Sequence, residues 1–243
     1  MKIGGLQKVS TIDYPGEICC IVFLWGCNFR CGFCYNSDLV VKNSEGAFSE
    51  EEVLEFLKGR VGKLDAVCIS GGEPLVSLDF DFIRRIRELG FKIKLDTNGS
   101  FPERLKEMID EGLVDYIAMD VKGAKEDYSR VTGVEVDVKK IEESIKIVND
   151  FENSEFRTTV VPGFHDEASL VSMGEWIGEV CGGSSSEMTL VSPKPGRIFL
   201  QGFKPQTSMI DSKFMDKAEV SEKELLKLKG VLNELFGEVG VRC

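Results

Sequence analysis

Apolar and β-branched residues run together at Ile18–Trp25, Ala66–Ser70, Phe91–Asp96, Val114–Asp120, Glu155–Val161 and Met188–Val191, the pattern of strands buried on both faces. Between these runs the apolar positions recur at helical spacing, and several stretches open with helix-start chemistry. Ser49 with Glu52 forms a capping box, Asp79 precedes FDFIRRIRELG, and Pro102 stands in the first turn of PERLKEMIDEG. Further helices are expected over Val138–Asp150 and Glu167–Cys181, and a last one begins at a second capping box, Ser221 with Glu224. Strands alternating with helices through right-handed crossovers build a parallel sheet. A complete eightfold barrel takes about 250 residues and has eight strands. Six strands in 243 residues therefore predict an α/β chain folded as a partial (βα)6 barrel of the TIM type. From Ser192 to Lys217 the pattern lapses into the Pro/Gly-punctuated stretch SPKPGRIFLQGFKPQTSMIDSKFMDK. The expectation is one domain over residues 1–243, with a core at about 15–191 and a C-terminal extension over 192–243.

Composition narrows the function classes. With 42% apolar and 29% charged residues the chain has ample core to bury. Its 30 Lys and Arg against 41 Asp and Glu give a net charge of −11, which repels a phosphate backbone and excludes nucleic acid as the default partner. The longest apolar run, Ile18–Trp25, falls well short of the roughly 20 residues of a membrane span, and MKIGGLQKVS lacks the apolar stretch of a signal peptide. A soluble, cytoplasmic protein without a membrane partner is expected. In that setting the eight cysteines are expected to be thiols, and three of them, Cys27, Cys31 and Cys34, crowd into eight residues.

The triplet has the spacing C-x3-C-x2-C directly after the first predicted strand. Soft thiolates select zinc, Cu(I) or an iron–sulfur cluster. Structural zinc takes four ligands, and the single histidine, His165, is remote in sequence. Three thiolates on a four-iron cluster leave one iron open to a substrate or cofactor, whereas an electron-transfer ferredoxin uses four cysteines. Other strand ends carry chemistry too. Gly71-Gly72-Glu73-Pro74 follows the second strand, where glycines either make a plain turn or let backbone approach a ligand. Asp96-Thr97-Asn98-Gly99 ends the third strand, and Asp120 with Lys122 ends the fourth. Taken singly these are turns and a solvated lysine. Together they set carboxylates at neighbouring strand ends beside anionic thiolates. Two such charges about 4 Å apart repel by about 4 kcal/mol at an effective dielectric near 20, so positive charge is needed there. Arg157 either faces the same end or is solvated. Cys19, Cys20 and Cys68 sit in apolar strands as small core residues, Trp25 reads as packing that also shields the triplet, and His165 reads as a surface-loop histidine.

The triplet, with the aromatic Phe33 just before Cys34, resembles the signature of the radical S-adenosylmethionine (SAM) enzymes. That resemblance implies the radical SAM fold and a [4Fe–4S] cluster on Cys27, Cys31 and Cys34, which act in catalysis through it. It also implies SAM chelated at the open iron, where one electron from the reduced cluster cleaves the sulfonium to methionine and a 5'-deoxyadenosyl radical. By the same resemblance the GGE backbone binds the SAM amino group. Phe33, Gly71, Gly72, Glu73, Asp96, Thr97, Asn98, Asp120, Lys122 and Arg157 are then the cofactor-binding set. DTNG and DVK match motifs of glycyl-radical-enzyme activases, and in the pyruvate formate-lyase type the aspartates and threonine hold a monovalent cation.

GGLQKVSTIDYPG near the N-terminus and LQGFKP near the C-terminus are similar to the activating proteins of the anaerobic ribonucleoside-triphosphate reductase, in their longer form. The implied reaction is hydrogen-atom abstraction from a glycine of that reductase, with a flavodoxin or ferredoxin type electron donor. STIDYPG is also similar to the STVDGPG of pyruvate formate-lyase activase, the nearest competitor. A radical SAM enzyme of a small molecule and a non-catalytic iron–sulfur or zinc protein are the other readings. Larger activases insert a ferredoxin-like domain between the triplet and GGE, where this chain has only Tyr35–Ser70, so no second cluster is expected. Two departures stand out. Tyr35 follows the third cysteine where many activases have histidine, and VSPKPG lacks the histidine that pyruvate formate-lyase activase carries near the SAM ribose, Lys194 being the nearest substitute. The irregular segment, with Phe199, Phe203 and Lys204, is expected to cover the open side of the barrel, to dock the partner or to pack an edge.

Overall fold

The computed structural model describes residues 1–41, 46–182 and 194–242. They form two compact units: Met1–Asn28 with Asn36–Thr97 and Glu103–Ala118, and Phe29–Tyr35 with Asn98–Pro102 and Met119–Cys243.

In the first unit, β1 (Ile3–Ser10) runs antiparallel to β2 (Cys19–Leu24). Helices α1 (Ser37–Val41) and α2 (Glu50–Lys58) follow, and β3 (Ala66–Gly71) returns parallel to β2. Helix α3 (Phe80–Glu88) then leads to β4 (Lys92–Thr97), parallel to β3. Cys19 to Val22 and Ala66 to Ile69 are all buried, which is why these strands show no polar alternation. The capping box of α2 forms: Ser49 Oγ accepts from Glu52 N (3.2 Å) and Glu52 Oε2 from Ser49 N (2.7 Å). It directs Val53, Leu54 and Leu57 into the core. At α3, Asp79 Oδ1 accepts from Asp81 N (2.9 Å), and Phe82, Ile83 and Ile86 are buried. Strand β1 has no counterpart among the expected strands, because IGGLQKVS is glycine-rich and largely half-exposed. Its Gly4 lets Trp25 lie across it; a Cβ there would stand 2.7 Å from the indole Nε1.

Helix α4 (Pro102–Asp110) and β5 (Tyr116–Asp120) each contain a division between the units, after Pro102 and after Ala118. The second unit continues with α5 (Tyr128–Thr132), α6 (Val138–Asp150), β6 (Ser154–Val160), α7 (Glu167–Val180), β7 (Arg197–Gly202), α8 (Glu222–Leu232) and β8 (Glu238–Arg242). Strands β6, β7 and β8 pair in parallel in that order. The α/β architecture with parallel strands is as expected, and α6 and α7 lie within a residue of their predicted bounds. The predicted sixth strand, Met188–Val191, lies outside the described residues. The stretch expected to be irregular from Ser192 needs correction, since it contains β7. RIFLQG alternates cleanly, with Ile198 and Leu200 buried, but it is bracketed by Pro195, Gly196 and Gly202. The cap of α8 forms through Ser221 Oγ, which accepts from Glu224 N (3.3 Å). Among the described residues no helix is long and apolar enough to cross a membrane.

Candidate active site

In the first unit, the chain leaves β2 and turns at Gly26 (φ +94°) into Cys27. The GGE loop docks on this turn through backbone bonds: Gly72 N donates to Leu24 O (3.0 Å) and Glu73 N to Gly26 O (2.8 Å). Asn36 Nδ2 donates to Gly71 O (2.9 Å). A Cβ on Gly72 would stand 2.0 Å from Gly26 O and 3.2 Å from Cys27 Cβ, so the glycine is required by the meeting of two backbones. The buried Glu73 carboxylate accepts from Leu75 N (3.0 Å) and from Thr97 Oγ1 (2.9 Å), tying the end of β4 to the GGE loop. Asp96 is paired with Lys94, whose side chain is buried. Lys94 is a site residue that motif reading passed over. Its signal was the spacing, since residues two apart on a strand share a face.

The second unit holds Cys31 and Cys34 in a turn closed by Cys34 N donating to Cys31 O (3.1 Å). The turn is anchored at both ends: Arg30 N donates to Thr132 O (2.8 Å), and Asp211 N donates to Gly32 O (3.0 Å). Burial pushes the Cys31 thiol up to about 11, against the opposing pull of Lys122. Metal uptake there must therefore displace a proton. Phe33 is buried between Phe164 (6.0 Å between ring centroids) and Phe214 (5.8 Å).

At the end of β5, Asp120 accepts from Arg157 Nε (2.9 Å) and Lys122 Nζ (3.0 Å). Burial alone would raise its pKa, but the charges of Arg157 and Lys122 outweigh it and hold the carboxyl well below the usual carboxylate range. The solvated alternative for Arg157 and Lys122 is thereby removed. The compensation that the strand-end carboxylates require is built in, from Lys94 at Asp96 and from Arg157 and Lys122 at Asp120. Asn98 Oδ1 accepts from Ser100 N (3.0 Å) and shapes the DTNG turn, where Gly99 has φ +75°.

His165 requires correction. It is buried, not a surface residue: Nδ1 accepts from Val161 N (3.0 Å), so the proton sits on Nε2, 3.0 Å from Lys122 O. The sole histidine thus pins the backbone that carries Lys122. Lys194, offered as a ribose contact, instead donates to Asn233 O (3.3 Å) just past α8. Cys19, Cys20 and Cys68 are buried core thiols as expected.

The expected site residues divide between the units. Cys27, Gly71, Gly72, Glu73, Asp96 and Thr97 belong to the first; Cys31, Phe33, Cys34, Asn98, Asp120, Lys122 and Arg157 belong to the second. Among the described residues no three His, Cys, Asp or Glu side chains gather as a single-ion site does. The residues present suit an iron–sulfur cluster with a bound organic cofactor: soft thiols at all three positions, a side-chain-free backbone beside Cys27, and a buried cation, Lys122, near Cys31.

A model of the radical SAM superfamily matches residues 21–171. Over 99% of its length the chain is similar, at 30% identity, to a Methanocaldococcus jannaschii protein named as a candidate glycyl-radical enzyme activating enzyme, of which it covers 95%. It is also 30% identical to the pyruvate formate-lyase-activating enzyme of Listeria monocytogenes, over 50% of this chain and 53% of that protein. A solved domain of the pyruvate-formate lyase-activating enzyme from Bacteroides vulgatus shares the fold, with a TM-score of 0.53 at 18% identity over 74% of this chain and 99% of that one. The chain belongs to the radical SAM superfamily, and its cofactors are a [4Fe–4S] cluster and SAM.

Proposed function

We propose that this radical SAM enzyme activates a glycyl radical enzyme, and that its substrate is a glycine of the anaerobic ribonucleoside-triphosphate reductase. The observation that carries the activase reading is the end-to-end likeness, 99% of this chain and 95% of the other, to a protein named as a candidate glycyl-radical enzyme activating enzyme. The reductase is favoured by STIDYPG and LQGFKP, which resemble its activating proteins. STIDYPG spans the last residue of β1 and the loop that leads to β2, at the opposite end of β2 from Cys27. There Ser10 Oγ accepts from Ile12 N and Asp13 N (3.3 Å each), and Tyr14 is buried against Tyr116 (5.6 Å).

In this reading Cys27, Cys31 and Cys34 hold the cluster, and the GGE backbone with Asp96, Thr97, Asp120, Lys122 and Arg157 receives SAM. Together the cofactors supply reductive cleavage of SAM, which generates the species that takes the hydrogen atom. The chain's own contribution is position and charge. Asp120 is held ionised by Arg157 and Lys122, and Asp96 is paired with Lys94; in this reading each would offer a fixed carboxylate to bound SAM. A flavodoxin or ferredoxin type protein supplies the electron, in the cytoplasm. The superfamily match, over residues 21–171, includes segments of both compact units, which supports a single functional domain. Pyruvate formate-lyase as substrate is the second reading, favoured by the likeness to its activating enzyme.

The test is anaerobic incubation of the protein with SAM, dithionite and each candidate enzyme. A glycyl-radical EPR doublet on the reductase is the expected outcome. A doublet on pyruvate formate-lyase alone would transfer the assignment. Formation of 5'-deoxyadenosine with both proteins EPR-silent would point to another substrate, including a small molecule.

A further inference from the structure

Three residues of the Cys31–Cys34 turn and its exit touch a segment about 170 residues later in the chain. Tyr35 Oη accepts from Lys204 N (2.8 Å), and its ring stacks on Phe203 with centroids 6.4 Å apart and planes 19° from parallel. Gly32 O accepts from Asp211 N (3.0 Å), and a Cβ on Gly32 would stand 2.6 Å from the Phe214 ring. Phe33 packs on Phe214 (5.8 Å), which packs in turn on Phe203 (6.3 Å). Phe203 and Phe214 are buried, while Tyr35, the outermost ring, is 45% exposed.

We propose that Tyr35 with Phe203–Lys217 forms an aromatic latch over the cluster-binding turn, in which Tyr35 is a positioning residue that keeps water from the cluster and so holds its reduction potential low. The inference rests on Cys31 and Cys34 being cluster ligands. Reduction adds an electron to a centre already bearing three thiolates. Water stabilises the more highly charged reduced state, so a dry, aromatic wall on one side disfavours it and makes the reduced cluster a stronger reductant. Reductive cleavage of SAM needs such a cluster. The hydrogen bond from Lys204 N fixes the wall in place. Phenylalanine would keep the stacking without the bond, and alanine would remove both.

The experiment is an EPR-monitored redox titration of anaerobically reconstituted protein, together with iron per chain and the rate at which cluster absorbance bleaches in air. Tyr35→Ala is expected to bind the wild-type amount of iron, to shift the midpoint upward and to bleach several-fold faster. Tyr35→Phe is expected to fall between Tyr35→Ala and wild type, a graded rescue that a merely structural role would not produce. Tyr35 is partly exposed, so its variants do not depend on the folding of a core substitution, whereas Phe214→Ala does. A wild-type midpoint and bleaching rate in Tyr35→Ala would overturn the latch. Iron retained after replacing Cys31 or Cys34 by Ala would instead overturn the ligand assignment, and the latch with it.

Discussion

Gly72 shows how one residue sets two loops at once. Its backbone lies so close to the Gly26–Cys27 peptide that a single methyl has no room, since the 2.0 Å separation is to a backbone oxygen. Gly72→Ala is therefore expected to lower iron per chain as well as SAM affinity, measured by iron analysis and anaerobic calorimetry; wild-type values of both would show that the loops separate freely. Lys94 is the other residue whose role depends on its surroundings. Lys94→Met removes the buried cation that pairs with Asp96 and is expected to cost about 3–5 kcal/mol in anaerobic urea unfolding, part of it regained on adding Asp96→Asn. Lysine in KIKLDT reads on its own as a solvated strand position. Only the pairing of β4 with β3, which sets Lys94 opposite Cys68, turns it inward.

The elements read most accurately are those whose signals are local. Ser49 and Asp79 cap α2 and α3 as their spacing requires, because a cap is decided within four residues. Strands β1, β7 and β8 were not legible, because each is short, punctuated by glycine or only half-buried, and is ordered by its neighbours. The last two are fastened to β6 by a staple across β7. Glu155 on β6 is buried and receives both Arg242 Nη1 (2.6 Å) and Nη2 (2.7 Å) from β8, and Arg242 stacks over Phe199 of β7 (3.9 Å). Arg242→Ala leaves that carboxylate without its bidentate partner and is expected to destabilise the protein by about 3–5 kcal/mol in chemical denaturation. A loss below about 1 kcal/mol would place the pair with ordinary surface bridges.

Just below neutral pH the side-chain response of the molecule centres on His165, the only histidine. Burial holds its pKa below the ordinary 6.5; Arg130 pushes the same way, and Asp127 and the bond to Lys122 O oppose. Folding therefore favours the neutral ring. The stability this contributes is fully present above pH 6.5 and is lost as pH falls through the lower folded-state value. Urea unfolding measured at successive pH values should show a decline below pH 6.5 that His165→Gln flattens; an unchanged slope would mean that the ring is not held neutral. Asp120 acts in a separate, more acidic window, since its contribution persists until pH drops below the usual carboxylate range. The α/β alternation, the helix caps, the cysteine triplet and the family resemblance were determined by the sequence alone, because periodicity, capping and ligand spacing are properties of contiguous residues. The partners of Asp96 and Asp120, the burial of His165 and the bonding of Tyr35 to Lys204 were decided only by tertiary structure. Each joins side chains to groups brought together by strand register or by folding across long stretches of chain, and no short-range pattern encodes that contact.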